Sequence, residues 1–146
     1  MAISQFSHSL PMLLYAAIDA IMPRFRLIFK EFGLTEQQWR VLRVLWDTAE
    51  ISHSELAKLT LISPPSLVGV LDRLRTMDLI ERRRSGLDRR VVYIATSQQG
   101  RDLRDQIMPA VQQSYFELRD SSNDQDWRNL LDGLEALVTG NAKSNR

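Results

Sequence analysis

Apolar residues recur at helical spacing in six stretches of this chain, separated in one place by a run with a different period. Over residues 7–32, Leu10, Leu13, Leu14, Ala17, Ile18, Ile21, Phe25, Ile28, Phe29 and Phe32 predict a first helix, with a kink at Pro23. A second, over 35–48, places Trp39, Leu42, Leu45 and Trp46 inward, and a third, over 53–60, presents Leu56 and Leu59. In the fourth, over 64–77, Leu67, Val70, Leu71 and Leu74 stand at i, i+3, i+4 and i+7. The last fifty residues predict helices over 97–120 and 124–139, striped by Leu103, Ile107, Val111, Leu118, Leu130, Leu134, Leu137 and Val138. Between the fourth and fifth helices, Asp78 to Arg84 and Arg90 to Ala95 read as strands. The second of these carries the β-branched and aromatic run Val91-Val92-Tyr93-Ile94, and Ser85-Gly86-Leu87-Asp88 forms the turn.

Helix starts agree with this division. Thr35-Glu36-Gln37-Gln38, Ser52-His53-Ser54-Glu55, Thr96-Ser97-Gln98-Gln99 and Ser122-Asn123-Asp124-Gln125 each fit a capping box, and Ser63 precedes Pro64 in the first turn of the fourth helix. At about 100° per residue, the outer face of that helix carries Pro65, Gly69, Asp72 and Thr76, with Ser66 and Arg73 on one flank. It is a slim face of short polar groups and one glycine, able to approach another surface closely.

Charge sharpens the picture. The chain has 146 residues, the size of one domain, and a formal net charge of only +1. Residues 63–96 nevertheless hold seven Arg against four Asp/Glu, an excess of +3, while 97–146 hold six Lys/Arg against eight Asp/Glu, an excess of −2. Arg82, Arg83, Arg84, Arg89 and Arg90 gather on the predicted hairpin beside the slim helix. An arginine run can simply solvate a surface. Next to a groove-sized helix it points to the phosphates of double-stranded DNA. The first and last helices carry apolar faces that the small central unit cannot cover, so they are expected to pack against a second copy in a symmetric homodimer; the alternative is that the two ends pack on each other.

Other chemistries find little support. There is no cysteine, hence no disulfide, thiolate metal site or thiol switch. His8 and His53 are the only histidines and stand 45 positions apart, so no metal and no cofactor is expected. No nucleophile triad, phosphate loop or carboxylate pair argues for an enzyme. No secretory leader is read, and Leu10 to Ile21 is too short to span a bilayer and contains Asp19. A soluble, cytoplasmic protein without membrane contact is expected.

Three helices, two strands and an arginine-tipped wing, flanked by dimerising helices, resemble the MarR family of transcription regulators over nearly the whole chain. The run Asp88-Arg89-Arg90-Val91-Val92-Tyr93-Ile94-Ala95-Thr96-Ser97-Gln98-Gln99-Gly100 is similar to that family's D-x-R followed by L-T-x-x-G, with Ala95 where leucine is usual. Pro65-Ser66-Leu67-Val68-Gly69-Val70-Leu71-Asp72-Arg73-Leu74 resembles its recognition helix. Ser7-His8-Ser9-Leu10-Pro11 and the stretch Gly33-Leu34-Thr35-Glu36-Gln37-Gln38-Trp39-Arg40-Val41-Leu42-Arg43 resemble the branch repressing homoprotocatechuate (hydroxyphenylacetate) catabolic operons. The fold implied is mainly α, an α+β winged helix-turn-helix of about six helices with a two- to three-stranded wing. Residues 35–97 form the DNA-binding region, and 1–34 with 98–146 form the helical dimerisation region.

In such a dimer the fourth helix of each copy enters a major groove of a pseudo-palindromic operator and the wings reach minor grooves. Ser66, Gly69 and Arg73 are expected at base edges, with Val68 either at a thymine methyl or in packing. Ser63, Pro64 and Pro65 stiffen the helix entrance and are expected to leave the Ser66 amide free for a phosphate. The resemblance makes Arg90 the minor-groove probe, its guanidinium held by Asp88, with Arg82, Arg84 and Arg89 on phosphates. The alternative for Asp88 and Arg90 is a solvated ion pair of little worth.

The family generally binds small aromatic acids where its dimer helices meet the DNA-binding lobe, which implies an effector site among His8, Ser9, Arg26, Trp39, Arg40 and Arg43. An arginine would take the carboxylate and Trp39 would wall the ring, provided that Arg40 turns inward. Against this, Trp39 can be core, and the arginines can pair with Glu31, Glu36 or Asp47. The function expected is a repressor of an aromatic-acid catabolic operon, released by a phenolic acid. A winged-helix activator, a ligand-independent regulator or a protein-interaction module are the alternatives.

Overall fold

The computed structural model describes residues 8–84, 86–88 and 90–144. Among them the chain runs through α1 (Leu10–Glu31), α2 (Glu36–Asp47), β1 (Ile51–Ser52), α3 (His53–Thr60) and α4 (Pro64–Thr76). It continues through β2 (Ile80–Arg84), β3 (Val92–Thr96), α5 (Gln98–Asp120) and α6 (Asp124–Ser144). The six expected helices are present. Pro23 lies inside α1, which continues through it, and α6 extends five residues past its expected end.

Capping explains most of the boundaries. At Thr35 both halves of the capping box form: its hydroxyl accepts from the Gln38 amide, and the Gln38 side chain accepts from the Thr35 amide at 2.8 Å. Ser52 caps α3 through the Glu55 amide. The starts of α5 and α6 are corrected by one residue. Ser97 rather than Thr96 accepts from the Gly100 amide (3.0 Å), and Asn123 rather than Ser122 accepts from the Asp126 amide (2.8 Å). At the other ends, α1, α3 and α4 each stop in a Schellman turn. The residue past the helix adopts positive φ: Gly33 at 70°, Leu61 at 55° and Asp78 at 57°. Asp78 therefore belongs to this turn, so β2 begins at Ile80 and not at Asp78 as expected; the Leu79 amide is spent on the Leu74 carbonyl at 3.0 Å.

The sheet is antiparallel in the order β1-β3-β2, so the wing hairpin carries a third, two-residue strand that the hydrophobic pattern did not signal. Ile51 pairs with Ile94, and Ile94 also faces Arg82 across the hairpin. Alternation along β2 then sends Arg82 and Arg84 to one face and Arg83 to the other.

Val41, Leu42, Leu56, Leu67 and Leu74 are fully buried, with Leu45, Leu71 and Ile94 at 1% exposure. Each such side chain contributes about 1.5–3 kcal/mol of burial. Two inward expectations are corrected. On α3, Leu59 is 62% exposed and Ala57 and Thr60 are buried beside Leu56; on α2, Val41 and Gln38 are buried while Trp39 is only half-buried. Periodicity locates a stripe, and the neighbouring elements select its centre.

The chain divides into two compact units, Met1–Ala110 and Val111–Arg146. Within the second, Tyr115 meets Trp127 edge-on at 5.7 Å and Arg119 pairs with Asp124 at 3.0 Å across the turn between α5 and α6. No described helix is long and apolar enough to cross a membrane.

Candidate nucleic-acid interface

The outward face of α4 is built by what its inward face consumes. Leu67, Val70, Leu71 and Leu74 are buried, which turns Pro64, Pro65, Ser66, Val68, Gly69 and Arg73 to solvent. Val68 is 47% exposed, compatible with both of its expected readings. A Cβ placed on Gly69 would meet nothing within 4 Å, so no described neighbour requires glycine there.

The expectation of a free Ser66 amide is corrected. Ser63, as the N-cap, accepts from that amide at 3.4 Å and donates its own hydroxyl proton to the Ser66 oxygen at 2.9 Å. Pro64 and Pro65 have no N–H to offer. The start of α4 is therefore a poor amide nest.

The arginines of the wing divide into structural and free groups. Arg82 donates to Asp72 on α4 at 2.8 Å, so it ties the wing strand to the recognition helix. Arg83 meets Glu81 at 3.3 Å, a half-exposed pair of little energetic weight. Arg73, Arg84 and Arg90 have no side-chain partner among the described residues. Arg89 lies outside the described residues.

Asp88 acts differently from expectation. Its carboxylate accepts from the Arg90 backbone amide at 2.9 Å, an Asx-type turn, and no ion pair joins it to the Arg90 guanidinium among the described residues. Asp88 thus shapes the wing's return and leaves the Arg90 side chain to solvent. Between wing and α4 lies a cleft of about 360 Å³ with Val68, Leu71 and Ile94 for walls and Arg82 and Arg90 at its edge. His53 also lines it, with a buried Nε2 that has no partner.

The effector candidates fall into two groups. Trp39 stacks on Phe29 with ring centroids 4.6 Å apart and meets Trp46 edge-on at 5.5 Å. Arg26 is bound to Glu36 at 2.9 Å and Arg43 to Asp47 at 3.5 Å. Arg40 is half-buried, and its Nε is enclosed without a partner: a desolvated donor waiting for an acceptor. His8 and Ser9 stand at the far end of α1. Seventeen residues of helix at about 1.5 Å each put Ser9 about 25 Å from Arg26 along the axis, so one chain does not gather all six.

Sequence reasoning missed the latch behind the wing. Ser97 accepts from the Gly100 amide and donates to the Asp78 carbonyl, and the Trp46 indole donates to the Gly100 carbonyl at 3.0 Å. A Cβ at Gly100 would collide with the Leu79 carbonyl oxygen and stand 2.6 Å from the Thr96 methyl. The glycine in the Thr96–Gly100 motif is therefore a close-approach glycine that lets α5 start against the end of α4. Its place at the close of the run that is similar to L-T-x-x-G was the available signal.

Comparison with known proteins agrees with this geometry. The MarR family model matches residues 34–92, the span from the end of α1 into β3. The homoprotocatechuate degradative operon repressor of Escherichia coli is 31% identical, with 92% of each chain covered. The HTH-type transcriptional regulator FarR of Neisseria gonorrhoeae is 34% identical over 70% of each. The crystal structure of NadR in complex with 4-hydroxyphenylacetate superimposes with a TM-score of 0.78 at 30% identity, covering 88% of this chain and 92% of that one.

Proposed function

This chain belongs to the MarR family, and from that premise we propose that it is a transcriptional repressor of an aromatic-acid catabolic operon, working as a homodimer on operator DNA and released by a small phenolic acid. The observation that carries the DNA half is the outer face of α4 beside the wing. Gly69 has open space around it, Val68 and Ser66 are exposed, and Arg73, Arg84 and Arg90 have guanidinium groups without a partner among the described residues. The slim helix suits a major groove, and Arg90, on a turn shaped by Asp88, suits the narrow minor groove beside it. The chain is a regulator of cytoplasmic DNA and not an enzyme.

The effector half is supported by the enclosed Nε of Arg40 and by the NadR complex, whose ligand is a phenolic carboxylate. Arg40 takes the carboxylate, Trp39 walls the ring, and His8 and Ser9 reach the site from the second copy. A titration tests both halves together. Labelled DNA flanking the chain's own gene should be bound with an affinity that falls steeply as salt rises. 4-Hydroxyphenylacetate at millimolar concentration should release it, and Arg40→Ala should blunt that release. Salt-insensitive binding refutes the DNA half, and no release by the acid refutes the effector half.

A further inference from the structure

On the face of the sheet where Arg83 points, opposite Arg82 and its contact with α4, a second cleft of about 320 Å³ opens between the end of α2, the strands and the start of α5. Leu45 and Trp46 give it an apolar wall, and Arg83, Arg101 and Arg104 line it with no acidic residue. Arg101 is oriented without being neutralised. It donates to the Thr96 carbonyl at 2.9 Å and to the Gln98 side-chain oxygen at 3.0 and 3.3 Å, both uncharged acceptors. Arg104 has no partner among the described residues. Thr96 also lines the cleft, and its carbonyl is one of the acceptors that hold Arg101.

Three guanidinium groups line the cleft beside an indole: Arg83, which meets Glu81 at 3.3 Å, Arg101, locked on neutral acceptors, and Arg104, without a partner among the described residues. We propose that this cleft is an anion-binding site for a small organic dianion, an oxyanion head of charge near −2 on a compact apolar body, separate from the effector site at Arg40. Planar guanidinium forks bind carboxylates and phosphates through paired hydrogen bonds, and three of them match a double charge better than a single one. The volume exceeds what a bare inorganic anion needs, and the Leu45–Trp46 wall accepts the remainder. A dianion held there bridges Arg83 on β2 to Arg104 on α5, joining the wing strand to the long helix behind it.

Phthalate carries its double charge on two adjacent carboxylates and phenyl phosphate on one phosphate head; benzoate is the singly charged control. Calorimetric titration of the full chain at pH 8 and constant ionic strength should show saturable uptake, one per chain, of at least one dianion, with benzoate at least tenfold weaker. The comparison of the two dianions identifies the head. Arg104→Gln, at an exposed position without a partner among the described residues, should weaken uptake at least tenfold with an unchanged melting temperature. Arg40→Gln should leave it intact. No saturable uptake of either dianion, benzoate binding as well as they do, or equal uptake by Arg104→Gln and the parent chain would overturn the assignment.

Discussion

In the winged helix, leucines at helical spacing have left solvent altogether: Leu42, Leu56, Leu67 and Leu74 are 0% exposed. In residues 111–142 the same residue type at similar spacing remains at the surface. Leu130 is 54% exposed, Leu137 38% and Val138 70%, and no described residue of that stretch is buried. The two regions have comparable apolar stripes and differ in whether one chain supplies a facing layer. Where the sheet and three helices close around α4, burial is complete within one copy. Along α6 the stripe stays exposed within one copy. At about 25 cal/mol per Å² of apolar surface removed from water, such a stripe is a standing drive for association, the second copy that the proposed operator geometry needs.

The largest expected effect breaks the incomplete region. Leu130→Asp together with Leu137→Asp puts two charges into the stripe. A lone chain would tolerate this at surface positions, whereas a dimer built on the stripe should weaken by at least a thousandfold, on the order of 4 kcal/mol. Sedimentation velocity at micromolar concentration should then show monomers with a folded winged helix. A double variant that stays dimeric would remove α6 from the interface.

Two glycines sharpen the contrast within the complete region. Gly100→Ala drives a methyl into backbone that cannot yield, at a cost of about 1–3 kcal/mol read from denaturant melts. Gly69→Ala meets open space and should raise helix stability by up to about 1 kcal/mol while operator affinity falls roughly tenfold. Both effects together mark Gly69 as a residue kept small for something outside the chain. Undiminished DNA binding by Gly69→Ala would mean that α4 does not approach the duplex there.

A further change concerns the wing. Arg90→Ala should cost about 1–3 kcal/mol of operator affinity at fixed salt and leave the melting temperature unaltered, because that guanidinium has no partner among the described residues. Equal affinities for variant and parent would return Arg90 to a solvated surface role.

Much of this architecture was readable from the order of residues, and the reasons are local. Thr35 and Gln38 are three positions apart and complete their capping box wherever a helix starts. Leu67, Val70, Leu71 and Leu74 define one face of α4 by spacing alone, and that face fixes which residues are left for DNA. The arginine density between 82 and 90 is likewise plain in the chain.

What only the folded chain decided depends on residues far apart in sequence. Ile51 and Ser52 become a strand because Ile94 and Tyr93 offer them an edge. Between Thr96 and Ser97, both competent caps, Ser97 caps α5 and its hydroxyl also reaches the Asp78 carbonyl. Arg82 is drawn to Asp72, 2.8 Å away on a neighbouring element, while Arg90, in the same basic cluster, has no side-chain partner among the described residues. A side chain's type sets which bonds it can make; its neighbours in space determine which of those bonds are already made, and so which groups remain for a ligand.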